Sequence, residues 1–160
     1  YFFLILDYDL EMMIPKKDDD YKALIVDDHE DVCQVVEAHL CQNGFKAHLI
    51  DKAYSGQEAL QLLRATTYFF IFLDVKLPDL DSTSLIEHIR KDDSRNKDAI
   101  LMMSSGQDLD EMIKEYLNQK IEKDKVDIFL LKPFNQKDCD NYFDLEFIIK
   151  QQKKRQEKKS

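Results

Sequence analysis

Glycine and proline are scarce in this 160-residue chain, three residues of each, and tryptophan is missing altogether. With so little glycine, most loops must turn on Asp, Asn, Ser and Pro. The three cysteines, Cys33, Cys41 and Cys139, are odd in number and show neither CxxC nor Cys/His ligand spacing, which argues against zinc and against a disulfide framework. A reducing cytoplasm suits them best. Positive charge is in deficit: 23 Lys and Arg against 32 Asp and Glu leave a net charge of -9. Nucleic-acid binding and anionic-membrane binding by the body of the protein are therefore not expected, and the partners expected are proteins or cations. No apolar run approaches the length of about 20 residues that spans a bilayer, and Tyr1-Phe2-Phe3-Leu4-Ile5-Leu6 lacks the basic flank of a signal peptide. The length suits one domain burying roughly two-thirds of its unfolded surface, with no room for a second. The first residue is Tyr rather than Met, as expected of a piece of something longer.

What the chain does have is an alternation of strand-like and helix-like patterns. Residues 22–26 are short and mostly apolar, and 30–42 carry a helical stripe of Val32, Val35, Val36, Ala38, His39 and Leu40 that Gly44 ends. Phe45 to Ile50 reads as the second strand. Ser55 with Glu58 forms a capping box for the next helix, which carries Ala59, Leu60, Leu62 and Leu63. Tyr68 to Leu73 is continuously apolar, as a strand covered on both faces must be. Ser84 to Lys91 supplies a third helix, Ala99 to Met103 a fourth strand, and Asp108 with Glu111 a fourth helix start. Val126 to Leu131 is the fifth strand, and Asn135 caps a last helix with Tyr142, Phe143, Leu145, Phe147 and Ile148 on its apolar positions. Such alternation predicts an α/β fold, a doubly wound parallel sheet with right-handed crossovers and helices on both faces.

The domain so predicted spans residues 21–150. Residues 1–20 form an extension whose Tyr1 to Leu10 aligns without gaps against Tyr68 to Leu77. Since no further repeat follows, both are read as strands ending in Asp rather than as a duplicated unit. Lys16-Lys17-Asp18-Asp19-Asp20 is expected to be a solvated linker. Residues 151–160 have no apolar face and are expected to fray as the basic end of the last helix.

Chemistry-bearing residues collect at the strand ends. Asp27 and Asp28 end the first strand, Asp74 the third, Ser104 the fourth and Lys132 the fifth. In an open α/β sheet, ligands bind at that edge, where the strand order reverses. Three carboxylates there repel one another and call for a divalent cation. Carboxylates with a backbone carbonyl and waters make an octahedral oxygen site suited to Mg²⁺. One carboxylate is then free to act as a nucleophile toward phosphorus, while a lysine and a hydroxyl neutralise phosphoryl oxygens.

These residues resemble the receiver domains of two-component response regulators. The likeness runs from about Tyr21 to Ile149 and rests on Val26-Asp27-Asp28, Asp74-Val75-Lys76-Leu77-Pro78, Met103-Ser104-Ser105 and Lys132-Pro133-Phe134. The resemblance implies a flavodoxin-like five-stranded sheet in the order 2-1-3-4-5, for which a receiver serves as a general example. It implies that Asp74 is the phosphoacceptor, that Asp28, Asp74 and the Lys76 carbonyl bind Mg²⁺ directly, and that Asp27 assists through water. Ser104 and Lys132 would contact the phosphoryl group, and Phe129 matches the aromatic switch position. A histidine kinase or histidine phosphotransfer protein would be the phosphodonor. The output expected is a switch in protein contacts, in its simplest form a homodimer through helix four, strand five and helix five. The chain would catalyse its own phosphorylation and dephosphorylation at most.

Some residues depart from the family pattern. Ser82 stands where a glycine is usual, the spacing from Ser104 to Lys132 is long, and the Gly-Ala before the fifth strand is missing, so the fourth helix or its exit loop is expected to be extended. The Lys76 side chain is expected to be solvated. Each feature alone has a simpler explanation: Asp27-Asp28 as a helix cap with a loop acid, Asp74 and Ser104 as turn residues, Lys132-Pro133 as a strand exit and His29 as a solvated helix start. Their joint placement at alternating strand ends favours the site. Two rivals remain. A haloacid-dehalogenase-like aspartate phosphatase is suggested by Asp7-Tyr8-Asp9 and Asp79-Leu80-Asp81-Ser82-Thr83, and a degenerate receiver would serve only as a binding module.

Overall fold

The computed structural model describes residues 21–106 and 125–159. The strands β1 (Ala23–Val26), β2 (Ile50–Ala53), β3 (Phe70–Asp74), β4 (Ile100–Ser105) and β5 (Ile128–Leu131) form one parallel sheet in the order β2-β1-β3-β4-β5. The helices are α1 (Glu30–Gln42), α2 (Gly56–Ala65), α3 (Ser82–Arg90), α4 (Gln136–Tyr142) and α5 (Leu145–Glu157). The expected helix from Asp108 and the first 20 residues lie outside the described residues. The order is the flavodoxin-like one, with its reversal between β1 and β3.

Alternation along the strands builds two cores. Ala23, Ile25, Phe70, Phe72, Ile100, Met102, Ile128 and Leu130 point to one face, where Cys33, Val36 and Leu40 of α1, Cys139 of α4 and Ile148 of α5 cover them. The intervening residues Leu24, Val26, Ile71, Leu73, Leu101 and Met103 point the other way, against Ala59 and Leu63 of α2 and Leu85, Ile86 and Ile89 of α3. Burial on both faces is why β1 and β3 read as unbroken apolar runs. Each large side chain so buried stabilises the fold by roughly 1.5–3 kcal/mol. At the edge, β5 alternates instead: Ile128 and Leu130 are buried, while Phe129 and Leu131 are exposed.

Local signals set the helix ends. The Ser55 hydroxyl accepts from the Glu58 N–H at 3.2 Å, and the Glu58 carboxylate reaches back to the Tyr54 N–H at 2.7 Å, one residue ahead of the cap. Asn135 and Asp138 make a reciprocal capping box at the start of α4. Gly44, just beyond α1, has a φ of +108°, and a Cβ there would come within 3.2 Å of the Leu145 Cβ. Both the backbone and the packing therefore require glycine. Ser82 begins α3 and is buried, and no described residue other than Gly44 has a positive φ, so the loop before α3 turns without a left-handed residue.

Three expectations need correction. The second strand is not Phe45 to Ile50: Phe45 folds back under α1, its N–H donating to the Leu40 carbonyl at 3.0 Å, and Ala47–Leu49 form a 3-10 turn. The strand starts at Ile50 and includes Asp51 and Lys52, half-buried polar residues that suit an edge position and leave a weak apolar signal. The last helix is two helices. The chain breaks at Phe143, which is fully buried beside Phe72 and Phe134, and the Asp144 carboxylate accepts from the Phe147 N–H at 3.0 Å to start α5.

Finally, residues 151–157, expected to fray, are placed in a regular helix. Helix α5 continues to Glu157, and Arg155 Nη1 donates to Asp127 Oδ1 at 3.0 Å while Lys159 pairs with Asp98 at 2.5 Å. Asp127, just before β5, also accepts from Arg90 Nη2 at 3.0 Å and from the Leu101 N–H at 2.9 Å. A single carboxylate thus ties α3, β4, β5 and α5 together at the N-terminal edge of the sheet.

Candidate functional site

At the opposite edge, where the strands end, the sequence brings its acids together. Asp27 follows β1, its N–H donating to the Ala53 carbonyl at 3.1 Å, and its side chain is fully buried. Asp74 is the last residue of β3 and is nearly buried, while Asp28 is partly exposed. Lys132 leaves β5 with its N–H donating to the Ser105 carbonyl at 2.7 Å, ahead of a cis bond to Pro133. That exit aims the ammonium across the site: Nζ lies 2.5 Å from Asp27 Oδ2 and 3.4 Å from Asp74 Oδ1. One donor atom each from Asp27, Asp28, His29 and Asp74 lie within 4.8 Å of one another.

Burial of Asp74 pushes its carboxyl above the ordinary aspartate range, Lys132 opposes this, and the charge of Asp27 adds to it. Crowded acids of this kind gain from added positive charge. Ser104 sits beside Asp74 in the β3–β4 register, and its carbonyl accepts from the Val75 N–H at 2.9 Å. Its hydroxyl is buried with no hydrogen-bond partner, an uncommon condition for a polar group and one that an incoming oxygen would relieve. The donor set of carboxylate oxygens fits a hard divalent cation such as Mg²⁺. Asp27, Asp28 and Asp74 are the carboxylates clustered closely enough to hold such an ion.

His29, expected to be solvated, is 65 % exposed, yet its Nδ1 lies 3.2 Å from Asp27 Oδ1 and 3.1 Å from Asp28 Oδ1. The hydrogen bond to Asp27 and the charges of Asp28 and Asp27 raise its pKa. The Cys33 thiol donates to the Asp27 carbonyl at 3.4 Å, and burial pushes its pKa up to about 12, so it stays a thiol. Lys76 is exposed, and Phe129 on β5 is 55 % exposed.

Asp79 is a contributor that sequence reasoning assigned elsewhere. Its carboxylate accepts from the Gly56 N–H at 2.8 Å and the Gln57 N–H at 3.0 Å, so the loop after Asp74 caps the start of α2. Those two bonds hold its pKa below the usual value. Gly56 permits this approach, since a Cβ there would lie 2.4 Å from the Leu80 Cβ. Asp81 caps its own helix by accepting from the Thr83 N–H at 3.1 Å. Both acids of the 79–83 segment are thus occupied as caps, and Asp7 and Asp9 lie outside the described residues.

Residues 23–143 match the family of the response regulator receiver domain. The chain belongs to that family. A curated relative, the regulatory protein VanRc of Enterococcus gallinarum, is 28% identical over 114 residues, 71% of this chain and 44% of that protein. The chain therefore spans less than half the length of that relative. Among solved structures, a two-component transcriptional regulator AraC from Clostridium phytofermentans superposes with a TM-score of 0.68 at 24% identity, over 85% of this chain and 98% of the other. A CheY-like receiver domain protein from Methanospirillum hungatei gives 0.65 at 21% identity, over 86% of this chain and 98% of the other. The receiver domain of the Francisella response regulator 1452 gives 0.61 at 26% identity, over 84% of this chain and 98% of the other. No described helix is long and apolar enough to cross a membrane.

Proposed function

We propose that this receiver domain takes a phosphoryl group on Asp74 in a Mg²⁺-dependent reaction, and that the modification switches its protein contacts. The observation that carries the proposal is the buried, unpartnered Ser104 hydroxyl in register with Asp74, together with Lys132 Nζ 3.4 Å from the Asp74 carboxylate. A bound divalent cation would supply charge neutralisation for the phosphoryl oxygens. Asp74 Oδ attacks phosphorus as the P–N bond of a donor phosphohistidine breaks, and the imidazole leaves with the electron pair. The donor is a histidine kinase or a histidine phosphotransfer protein.

The remaining side chains position and respond. Lys132 exchanges its contact with Asp27 for one with the phosphoryl oxygens, a charge-assisted pairing. Ser104 donates its idle hydroxyl to a third oxygen. As Ser104 moves toward the phosphoryl group, Phe129, now exposed on β5, enters the space behind it. With a divalent cation bound, Asp28 and Asp74, with the Lys76 carbonyl, would hold it and Asp27 would assist through water. A homodimer formed through the face that includes β5 is the simplest output of the switch.

Mass spectrometry after incubation with Mg²⁺ and a small-molecule phosphodonor tests the proposal. The expected result is the gain of one phosphoryl group, abolished by Asp74→Asn and by chelation. Labelling of equal extent in Asp74→Asn overturns the assignment.

A further inference from the structure

His29 stands at the edge of the acid cluster, and the helix that it opens does not account for its side chain. It is the residue ahead of α1, a position where Ser, Thr, Asp or Asn usually supplies an oxygen to the first helical N–H groups, and its ring caps none of them. At that end of a helix the dipole is positive, so a cationic ring gains nothing from it. The side chain turns back to the acids instead. Nδ1 lies 3.2 Å from Asp27 Oδ1 and 3.1 Å from Asp28 Oδ1. The His29 backbone N–H donates to the same Asp27 oxygen at 3.0 Å, which fixes the point from which the ring hangs.

Lys132 and His29 divide the oxygens of the cluster between them. Lys132 pairs with Asp27 Oδ2 and Asp74 Oδ1, whereas His29 meets Asp27 Oδ1 and Asp28 Oδ1. Asp28 is one of the carboxylates proposed to hold the cation directly, so the ring nitrogen sits next to an oxygen that the cation would take. Two ligand atoms about 2.1–2.2 Å from one ion are about 3.0–3.1 Å apart when they meet it at right angles, and about 4.2–4.4 Å apart on opposite sides. The 3.1 Å between Nδ1 and Asp28 Oδ1 matches the first separation. The 4.8 Å that encloses one donor atom each from Asp27, Asp28, His29 and Asp74 is close to the second. Hydrogen bonds from a protonated ring have the same lengths, and they hold the ring where a cation can exchange for its proton.

Given the acid cluster as a divalent-cation site, which is the reading proposed above, we infer that His29 Nδ1 is one of its ligands and that the site takes a first-row transition dication such as Co²⁺, Ni²⁺ or Zn²⁺ more tightly than Mg²⁺. Mg²⁺ is a hard ion that seeks oxygen and keeps its waters, so an imidazole offers it little. Transition dications bind imidazole nitrogen well, and carboxylates joined by one imidazole form a mixed nitrogen and oxygen set that favours them. On binding, the ring releases its Nδ1 proton to solvent and the freed lone pair goes to the metal, while Asp28 and Asp74 supply oxygens. His29 thus sets which cation the site selects, a task separate from the nucleophilic role of Asp74.

Co²⁺, a dication close to Mg²⁺ in size, serves as the probe. The untagged full chain at pH 8 is titrated with Co²⁺ and with Mg²⁺, as wild type and as His29→Gln, while proton resonances are followed. The His29 side chain is 65 % exposed, so its replacement should leave the fold intact. The expected result is a Co²⁺-to-Mg²⁺ affinity ratio that falls at least about tenfold in the variant. The wild type with Co²⁺ should also show a paramagnetically shifted imidazole N–H resonance that the variant lacks, a signature that loss of a merely structural contact would not remove. An equal ratio in the two proteins, or a shifted resonance that is absent from the wild type or kept in the variant, overturns the inference. If Mg²⁺ still binds in that case, the phosphoacceptor reading of Asp74 stands, whereas a chain that binds neither cation overturns both.

Discussion

Asp74 is held between a low-dielectric surrounding that disfavours its charge and a lysine that favours it, and burial prevails. That balance has a sign for stability. The native carboxyl titrates above the unfolded one, so between the two values the native state binds more protons. The contribution from Asp74 is fully favourable at pH values below the unfolded pKa and is lost as pH rises through the folded pKa. At pH 7 in chelator, Asp74→Asn should therefore melt at a higher temperature than the wild type, and the gap should shrink as the pH is lowered past the ordinary aspartate range. Thermal scans at a series of pH values measure this. A variant less stable than wild type at pH 7 would mean that the Lys132 attraction outweighs burial. At the same scale, Lys132→Ala should spare cation binding, since no metal ligand is lost. It should uncouple modification of Asp74 from any change in the environment of Phe129, as read by ring resonances.

At the scale of elements, the break between α4 and α5 is what brings the basic helix under the sheet. Asp144→Ala removes the cap of α5 and should cost about 0.5–2 kcal/mol, whereas Phe143→Ala empties a fully buried aromatic position and should cost about 3–5 kcal/mol. Urea titration ranks the two, and a larger loss for Asp144→Ala would contradict the packing described for Phe143. This break also shows where sequence reading stops. Tyr142, Phe143, Leu145, Phe147 and Ile148 all sit at helical spacing, and nothing local distinguishes one bent helix from two. Likewise β2 was hidden because Asp51 and Lys52 tolerate its edge position, while the apolar Phe45 beside it belongs to the end of α1. By contrast α1 was legible to the residue, because an apolar stripe and a glycine in the left-handed region mark it from both ends.

For the whole molecule, the sheet separates two electrostatic environments: crowded acids where the strands end and crowded cations below where they begin. The acid end was legible because each group closes an apolar run, so Asp27, Asp74, Ser104 and Lys132 could be placed on strand ends before any contact was known. The Asp79 cap on α2 and the Asp127 junction were not, because their partners lie 22 or more residues away and nothing local marks the pairing. A receiver fold built this way has one chemical claim at its centre. Its most direct test is peptide mapping of the chain after exposure, with Mg²⁺ present, to a histidine phosphotransfer protein carrying phosphohistidine. The account predicts a single modified peptide with the phosphoryl group on Asp74, absent when Mg²⁺ is chelated. Modification at Asp27, Asp28 or His29 in place of Asp74 would contradict it.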